Sequence, residues 1–257
     1  MDATRQLPFS GGYGMLPRML EPELMDTRED AWDYDSMDHA EVNRRFVKDL
    51  LAAGLSPVSA VSSTPPHSGP LSDGPEEEAE PLLVLDIGTG TAQIPILLCQ
   101  ATDEVRVIAA DAAVSMLDLA RLNIEIAGVR ERIQLDRSDA KQMPYRDAMF
   151  DAVISNSIVH HIPEPRGVLR EAVRVTQPGG LLFFRDLMRP ADEEEVDQLV
   201  KTYAANCNEH QQMLFRNSLH AALTLDEMQA LVGELGFSAE SVEVTSDRHW
   251  TWCARRA

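Results

Sequence analysis

From Pro81 onward, short apolar runs and amphipathic stretches take turns at a spacing that leaves few architectures open. The run LLVLDIG (82–88) is continuously apolar and ends in glycine, the pattern of a strand buried on both faces. VRVIAAD (105–111), IQLDRSD (133–139), DAVISNS (151–157) and GLLFFRDL (180–187) are the further strand candidates. Helical patterns lie between them. One runs from about Ala92 to Cys99, a second is VSMLDLARLNIEIAG closed by Gly128, and a third spans about Val168 to Val175, ended by Gln177-Pro178-Gly179-Gly180. Strands that alternate with helices pair in parallel, because each helix carries the chain back to the same edge. The expectation is an α/β, doubly wound, mostly parallel Rossmann-like sheet with helices on both faces. After Leu187 the alternation stops. Helices are expected near 191–205, 208–221 and 225–235, inserted after strand five; the last opens with the capping pair Thr224 and Glu227 and stops at Gly236. SVEVT (241–245) and HWTWCAR (249–255) read as a terminal hairpin, which brings the expected strands to seven.

Ahead of this block stand two stretches of different character. In EVNRRFVKDLLAAG the apolar positions Val42, Phe46, Val47, Leu50 and Leu51 recur at helical spacing and Gly54 supplies a stop, so residues 1–54 read as a helical lead. Residues 55–80 are rich in Ser, Pro and Gly and end in acid. That composition buries too little apolar surface to fold and reads as a flexible linker. The functional domain is then expected over 81–257. A formal charge of −19 repels phosphate backbones, and no long Lys/Arg run offsets it, so nucleic acid is not an expected partner. The three cysteines, Cys99, Cys207 and Cys253, are scattered and odd in number, which argues against a disulfide framework or a zinc knuckle. The first residues lack the basic-then-apolar order of a signal peptide and no apolar run approaches a membrane span. A soluble, cytoplasmic protein is expected.

In a doubly wound sheet, ligands bind beyond the carboxyl ends of the strands, and the special residues of this chain fall there. The first strand runs into Asp86-Ile87-Gly88-Thr89-Gly90-Thr91. Gly88 and Gly90 let the backbone turn tightly and approach a ligand, and the following helix offers free N–H groups. Any tight strand-to-helix turn favours such a pair, so the glycines alone decide little. The dinucleotide fingerprint requires a third glycine where this chain has Gln93. A carboxylate at position 86 would repel a pyrophosphate and attract an ammonium or sulfonium.

At this point VLDIGTGTAQIPI resembles the first motif of the class I S-adenosylmethionine (SAM)-dependent methyltransferases, in particular the branch of ubiquinone and menaquinone biosynthesis. The resemblance continues in order from Leu82 to Phe184. It implies that Asp86, Gly88, Thr89 and Gly90 hold the cofactor loop, and that Asp111, followed by Ala112, binds the ribose hydroxyls, as a carboxylate facing a vicinal diol can. It further implies that Asp139-Ala140 meets the adenine edge and that Asn156 lines the methionine side. The segment LREAVRVTQPGGLLFFRD matches the family's stretch before strand five. One departure is Ala92, where a strict motif has glycine; the linker and the tail helices lie outside the resemblance.

Each residue also has a purely structural use. Asp86 can hold the turn, Asp111 can cap a helix, Asp139 can form a turn and Asn156 can satisfy backbone. His160, His161 and Asp186 are the candidates for a base that takes a proton from the acceptor. The competing reading has one histidine bonding a carbonyl while Arg185 and Asp186 pair with each other. Trp32 and Tyr34 are placed either to close over the cofactor or to anchor the first helix. Tyr203, Met213, Phe215, Arg216 and His220 on the tail helices are either core or acceptor contacts. No metal is expected, since no Asp/Asn arrangement demands one. The expected function is methyl transfer to a small organic acceptor by in-line displacement, with alignment and exclusion of water as the protein's main contribution. The alternatives are a SAM-binding protein without methyl transfer and an NAD-dependent oxidoreductase. The acceptor and the oligomeric state are not readable from the sequence.

Overall fold

The computed structural model describes residues 15–21, 26–37, 39–55 and 80–257. Most of the linker expected at 55–80 lies outside these. Two helices precede the sheet, α1 (Arg28–Ser36) and α2 (Ala40–Ala52). Then follow β1 (Leu82–Ile87), α3 (Gln93–Ala101), β2 (Val105–Asp111), α4 (Val114–Ala127), β3 (Ile133–Arg137), β4 (Phe150–Asn156), α5 (Pro165–Val175) and β5 (Thr176–Leu187). The tail comprises α6 (Glu193–Tyr203), α7 (Glu209–Ala221), α8 (Leu225–Glu234), β6 (Val242–Ser246) and β7 (His249–Arg255). The seven strands form one sheet in the order β3-β2-β1-β4-β5-β7-β6. Pairings among β1 to β5 are parallel, while β7 runs antiparallel to both β5 and β6.

Period-two burial sorts the strand residues onto two faces. Leu82 and Val84 of β1, Val105 and Val107 of β2 and Phe183 of β5 pack with α2, α3 and α4. Leu85, Ile87, Leu182, Phe184, Trp250 and Trp252 pack with α5 and α8 on the opposite face. Trp250 and Trp252 are fully buried, and Trp252 meets Phe237 edge-on at 5.2 Å between ring centroids. Each such side chain withdrawn from water contributes about 2–3 kcal/mol. The order reverses direction between β1 and β4, so the carboxyl ends of these two strands diverge into a crevice.

Two local features differ from the sequence-based expectation. Strand five begins at Thr176, although Gln177-Pro178-Gly179-Gly180 reads as a stop. Phe150 pairs with Thr176, and an irregularity then brings Ala152 opposite Leu181. Gly180 lies so close to Asp151 O and Gln177 O that a Cβ would stand under 3 Å from each, so the glycine serves close strand packing there. The second is α1, which sequence periodicity does not announce. It is capped by Thr27, whose hydroxyl accepts from Asp30 N, and it buries only Ala31. The three tail helices stand where they were expected, and Thr224 and Glu227 form their reciprocal cap.

Candidate active site

The crevice over the β1/β4 divergence is lined by the ends of four strands. Gly88 and Gly90 come from β1, Asp111 and Ala112 from β2, Ser138, Asp139 and Ala140 from β3, and Asn156 from β4. Asp86 and Thr89 line an adjoining recess, which shares Tyr34, Gly88 and Asn156 with the main cleft. The nine residues read from the sequence as cofactor contacts line either this cleft or the recess beside it.

The glycine loop is built for close approach. Gly88 has φ +69°, and a Cβ there would lie 2.5 Å from Ile158 Cδ1. Gly88 N and Thr89 N both donate to Ala110 O, which ties the loop to β2. Ala92, at the position of the missing third glycine, adopts φ +64° and is fully buried. A left-handed alanine costs about 1–2 kcal/mol, so the departure from the motif is carried as local strain.

Asp111 serves the loop and the cleft together. Its Oδ2 accepts from Gly90 N at 2.8 Å and its Oδ1 from Ala113 N at 2.9 Å, so it bridges the glycine loop to the start of α4. Ala113, not Asp111, is the capping position of α4, and that helix has no side-chain cap. Each carboxylate oxygen keeps a further lone pair for a ligand hydroxyl. Asp139 accepts from Lys141 N at 2.9 Å, which forms the expected turn, and sits on the open side of the cleft.

Asp86 is 2% exposed, and its Oδ2 accepts from the Thr89 hydroxyl at 2.7 Å. Burial pushes its carboxyl up to about 7; the Thr89 hydroxyl pulls it down and the neighbouring Asp111 adds to the rise. Asn156 Oδ1 is buried in the same recess without a hydrogen-bond partner. Among the described residues no cation acts on the Asp86 carboxyl, and this group and the orphaned Asn156 carbonyl line one recess, where both can accept hydrogen bonds.

The histidine pair sits in a 3₁₀ turn, Val159–His161, directly after β4. His161 lines the cleft, whereas His160 and Asp186 lie behind its wall. Asp186 Oδ1 lies 2.5 Å from His160 Nδ1, and Asp186 Oδ2 accepts from Val159 N at 2.6 Å. Burial alone would lower His160, but Asp186 and Glu21 outweigh it and hold the imidazole above its ordinary value. Burial likewise raises Asp186, and His160 together with the Leu187 amide overcomes it, so this carboxylate stays low. Arg185 and Asp186 do not pair, because neighbours on a strand point to opposite faces. Arg185 bonds Asp49 Oδ2 at 2.8 Å and Thr251 Oγ1 at 2.9 Å, and the histidine is bonded by Asp186 where a carbonyl was the alternative.

Sequence reading missed Glu21, Met116, Ser138, Lys141, Met143 and Ile158. The last five line the cleft. Glu21 belongs to the segment 15–21, which crosses α7 and the histidine turn; Met19 N donates to His220 O, and the Arg18 guanidinium donates to the carbonyls of His160, Ile162, Pro163 and Ala221. No sequence pattern signals this, because the partners are far apart along the chain. Tyr34 lines both recesses, whereas Trp32 is 65% exposed. Tyr203 and Met213 are largely exposed and Arg216 pairs with Asp197 and Glu193, so these tail residues are neither core nor cleft.

The methyltransferase domain family matches residues 85–184. A 27-O-demethylrifamycin SV methyltransferase of Amycolatopsis mediterranei is 32% identical over 185 residues, 67% of this chain and 61% of the relative. A demethylmenaquinone methyltransferase of Deinococcus radiodurans is 36% identical over 43% of this chain and 45% of its own length. The chain thus spans between about half and three-fifths of these two relatives. Among solved structures, a SAM-dependent methyltransferase from Aquifex aeolicus superposes with a TM-score of 0.59 at 16% identity, over 90% of this chain and 99% of that one, a likeness of fold. With the ordered motif residues gathered at one switch point, residues 85–184 carry a methyltransferase domain of the class I SAM-dependent type.

Proposed function

We propose that the chain transfers a methyl group from SAM to a small organic acceptor. The observation that carries this is the recess of Asp86 and Asn156, open to an ammonium group, beside the cleft of Asp111, which presents a carboxylate to a ribose. The methionine end of the cofactor would face Asp86, Asn156 and the glycine loop. The ribose would meet Asp111 and Ala112, and the adenine Asp139 and Ala140. The cofactor supplies an activated methyl on a sulfonium; the chain's residues align the acceptor and exclude water. Tyr34, standing 3.5 Å from where a Cβ on Gly90 would be, closes the mouth, so α1 acts as a lid element.

An acceptor that carries a proton on its attacking atom needs a group to receive it. His161 is placed on the cleft wall for this, with His160 and Asp186 as the positioning groups behind it. Support for a small acceptor comes from the relatives' named substrates, a demethylrifamycin and a demethylmenaquinone, and from the net charge of −19, which disfavours nucleic acid. No described helix is long and apolar enough to cross a membrane. The unbridged cysteines suit a reducing compartment, and a cytoplasmic location belongs to the same reading.

Calorimetric titration with S-adenosylhomocysteine tests the cofactor site. Affinity on the order of micromolar, weakened roughly tenfold or more in Asp111→Ala, is expected from the loss of charge-assisted hydrogen bonds. Absence of binding, or a preference for NAD, would remove the basis of the proposal. Transfer of labelled methyl to candidate acceptors then separates an enzyme from a protein that only binds SAM.

A further inference from the structure

Glu21, His160 and His161 converge in a way that ordinary hydrogen bonding does not account for. Glu21 Oε1 lies 3.0 Å from His161 Nδ1 and 3.5 Å from His160 Nε2, and one atom of each residue falls within 4.8 Å of the others. His161 Nδ1 is buried and faces that carboxylate oxygen without making a well-formed hydrogen bond to it. The opposite nitrogen of His160 is held by Asp186 at 2.5 Å, which leaves Nε2 turned to Glu21. The Glu21 side chain is 8% exposed and is steadied by the Ser218 hydroxyl, 3.3 Å from Oε1.

We propose that Glu21, His160 and His161 form a binding site for a divalent transition metal ion of zinc-like ligand preference, in the wall of the cleft. Two imidazoles and a carboxylate are a recurring ligand set for such ions. Metal–ligand bonds of about 2.0–2.1 Å place neighbouring tetrahedral ligand atoms about 3.3 Å apart, between the two separations in the structure. Asp186 behind His160 supplies the carboxylate–histidine–metal relay that fixes a ligand's tautomer. Charge agrees as well. Two carboxylates, Glu21 and Asp186, face one guanidinium, Arg18, whose donors are engaged by four carbonyls. Three protein ligands leave a coordination position for an acceptor hydroxyl, whose acidity the ion would raise so that its proton passes to solvent, and His161 would then serve as a ligand in place of a base. Sequence spacing gives no hint of the site, because Glu21 lies far from the histidine pair in the chain.

The test uses tag-free protein, stripped with a chelator, desalted and titrated with cobalt(II) while visible absorption is followed. One equivalent bound with the intense absorption of a four- or five-coordinate ion, and displacement by zinc, are expected. Glu21→Gln and His161→Ala abolish the band, Asp186→Asn weakens uptake roughly ten- to a hundredfold, and His210→Ala, at a surface histidine–aspartate pair, leaves it intact. Melting and S-adenosylhomocysteine titration of each variant show that it remains folded. No stoichiometric uptake, uptake unchanged in both ligand variants, or loss of uptake in His210→Ala each overturns the proposal. Cobalt uptake by a protein that fails to bind S-adenosylhomocysteine would strike the methyltransferase reading and leave the metal site standing.

Discussion

Asp86 is a buried carboxyl whose ionisation costs the folded chain stability. An unfolded aspartate titrates near 3.8, and burial lifts this one to about 7. The native state therefore holds a proton that the unfolded chain releases between those values. This group's contribution to stability is full below about pH 4 and is lost as pH rises through about 7. A ligand ammonium favours the ionised form, so binding should strengthen over the range in which the free protein weakens. Asp86→Asn keeps an acceptor for the Thr89 hydroxyl and removes the titration. Its melting temperature is expected to exceed that of the wild type at pH 8 and to approach it at pH 5, while its affinity for S-adenosylhomocysteine falls about tenfold or more. Comparing variant with wild type cancels the self-repulsion of a chain at −19, which would otherwise give the same trend. Equal melting curves for the two proteins at all pH values would mean that Asp86 is solvated in the free state.

Among the elements, those that pack by apolar periodicity were legible and those held by polar contacts were not. The inner parallel strands could be placed from their apolar runs, because burial on both faces demands one, whereas β3 at the sheet edge, Ile-Gln-Leu-Asp-Arg, is buried mainly at Ile133. The last tail helix was legible from its cap. α1 was not, since it is fastened through side chains: Asp35 accepts from Gln93 and Asn123, Asp33 lies 2.7 Å from His210 Nδ1, and only Ala31 is buried. The same logic divides the site. Asp86, Asp111, Asp139 and Asn156 stand at strand ends, whose positions follow from the alternation, but Glu21 reaches its partners only through the course of the segment 15–21. An element with so little buried apolar surface opens at low cost. Hydrogen exchange is therefore expected to be faster over 28–36 than over α2, and to slow on addition of S-adenosylhomocysteine, because Tyr34 gains a surface to pack on. Unchanged exchange over 28–36 with bound ligand would show that α1 is not a lid.

At the scale of the whole molecule, α2 packs the lead against the sheet. Phe46, Val47 and Leu50 belong to the same core as β1, β2 and β5, with Phe46 edge-on to Phe183 at 5.1 Å. Arg185, 4% exposed on β5, reaches from beneath those two rings to Asp49 of α2 and also donates to Thr251 of β7. One guanidinium thus links the lead, the parallel strands and the antiparallel edge. Asp49→Ala leaves that charge buried with a single hydroxyl partner. Because Asp49 is itself 37% exposed, water can replace part of the lost contact, and the cost should be about 1–3 kcal/mol instead of the larger value for a sealed pair. Denaturant unfolding should then show a lower midpoint with an unchanged slope, whereas Arg185→Met, which removes the buried charge together with its need for a partner, should lose less than Asp49→Ala if desolvation dominates. In the double variant the two effects should fail to add, since the methionine leaves nothing for Asp49 to neutralise. Strict additivity would show that the ion pair does not couple α2 to the sheet and that Phe46, Val47 and Leu50 hold the helix.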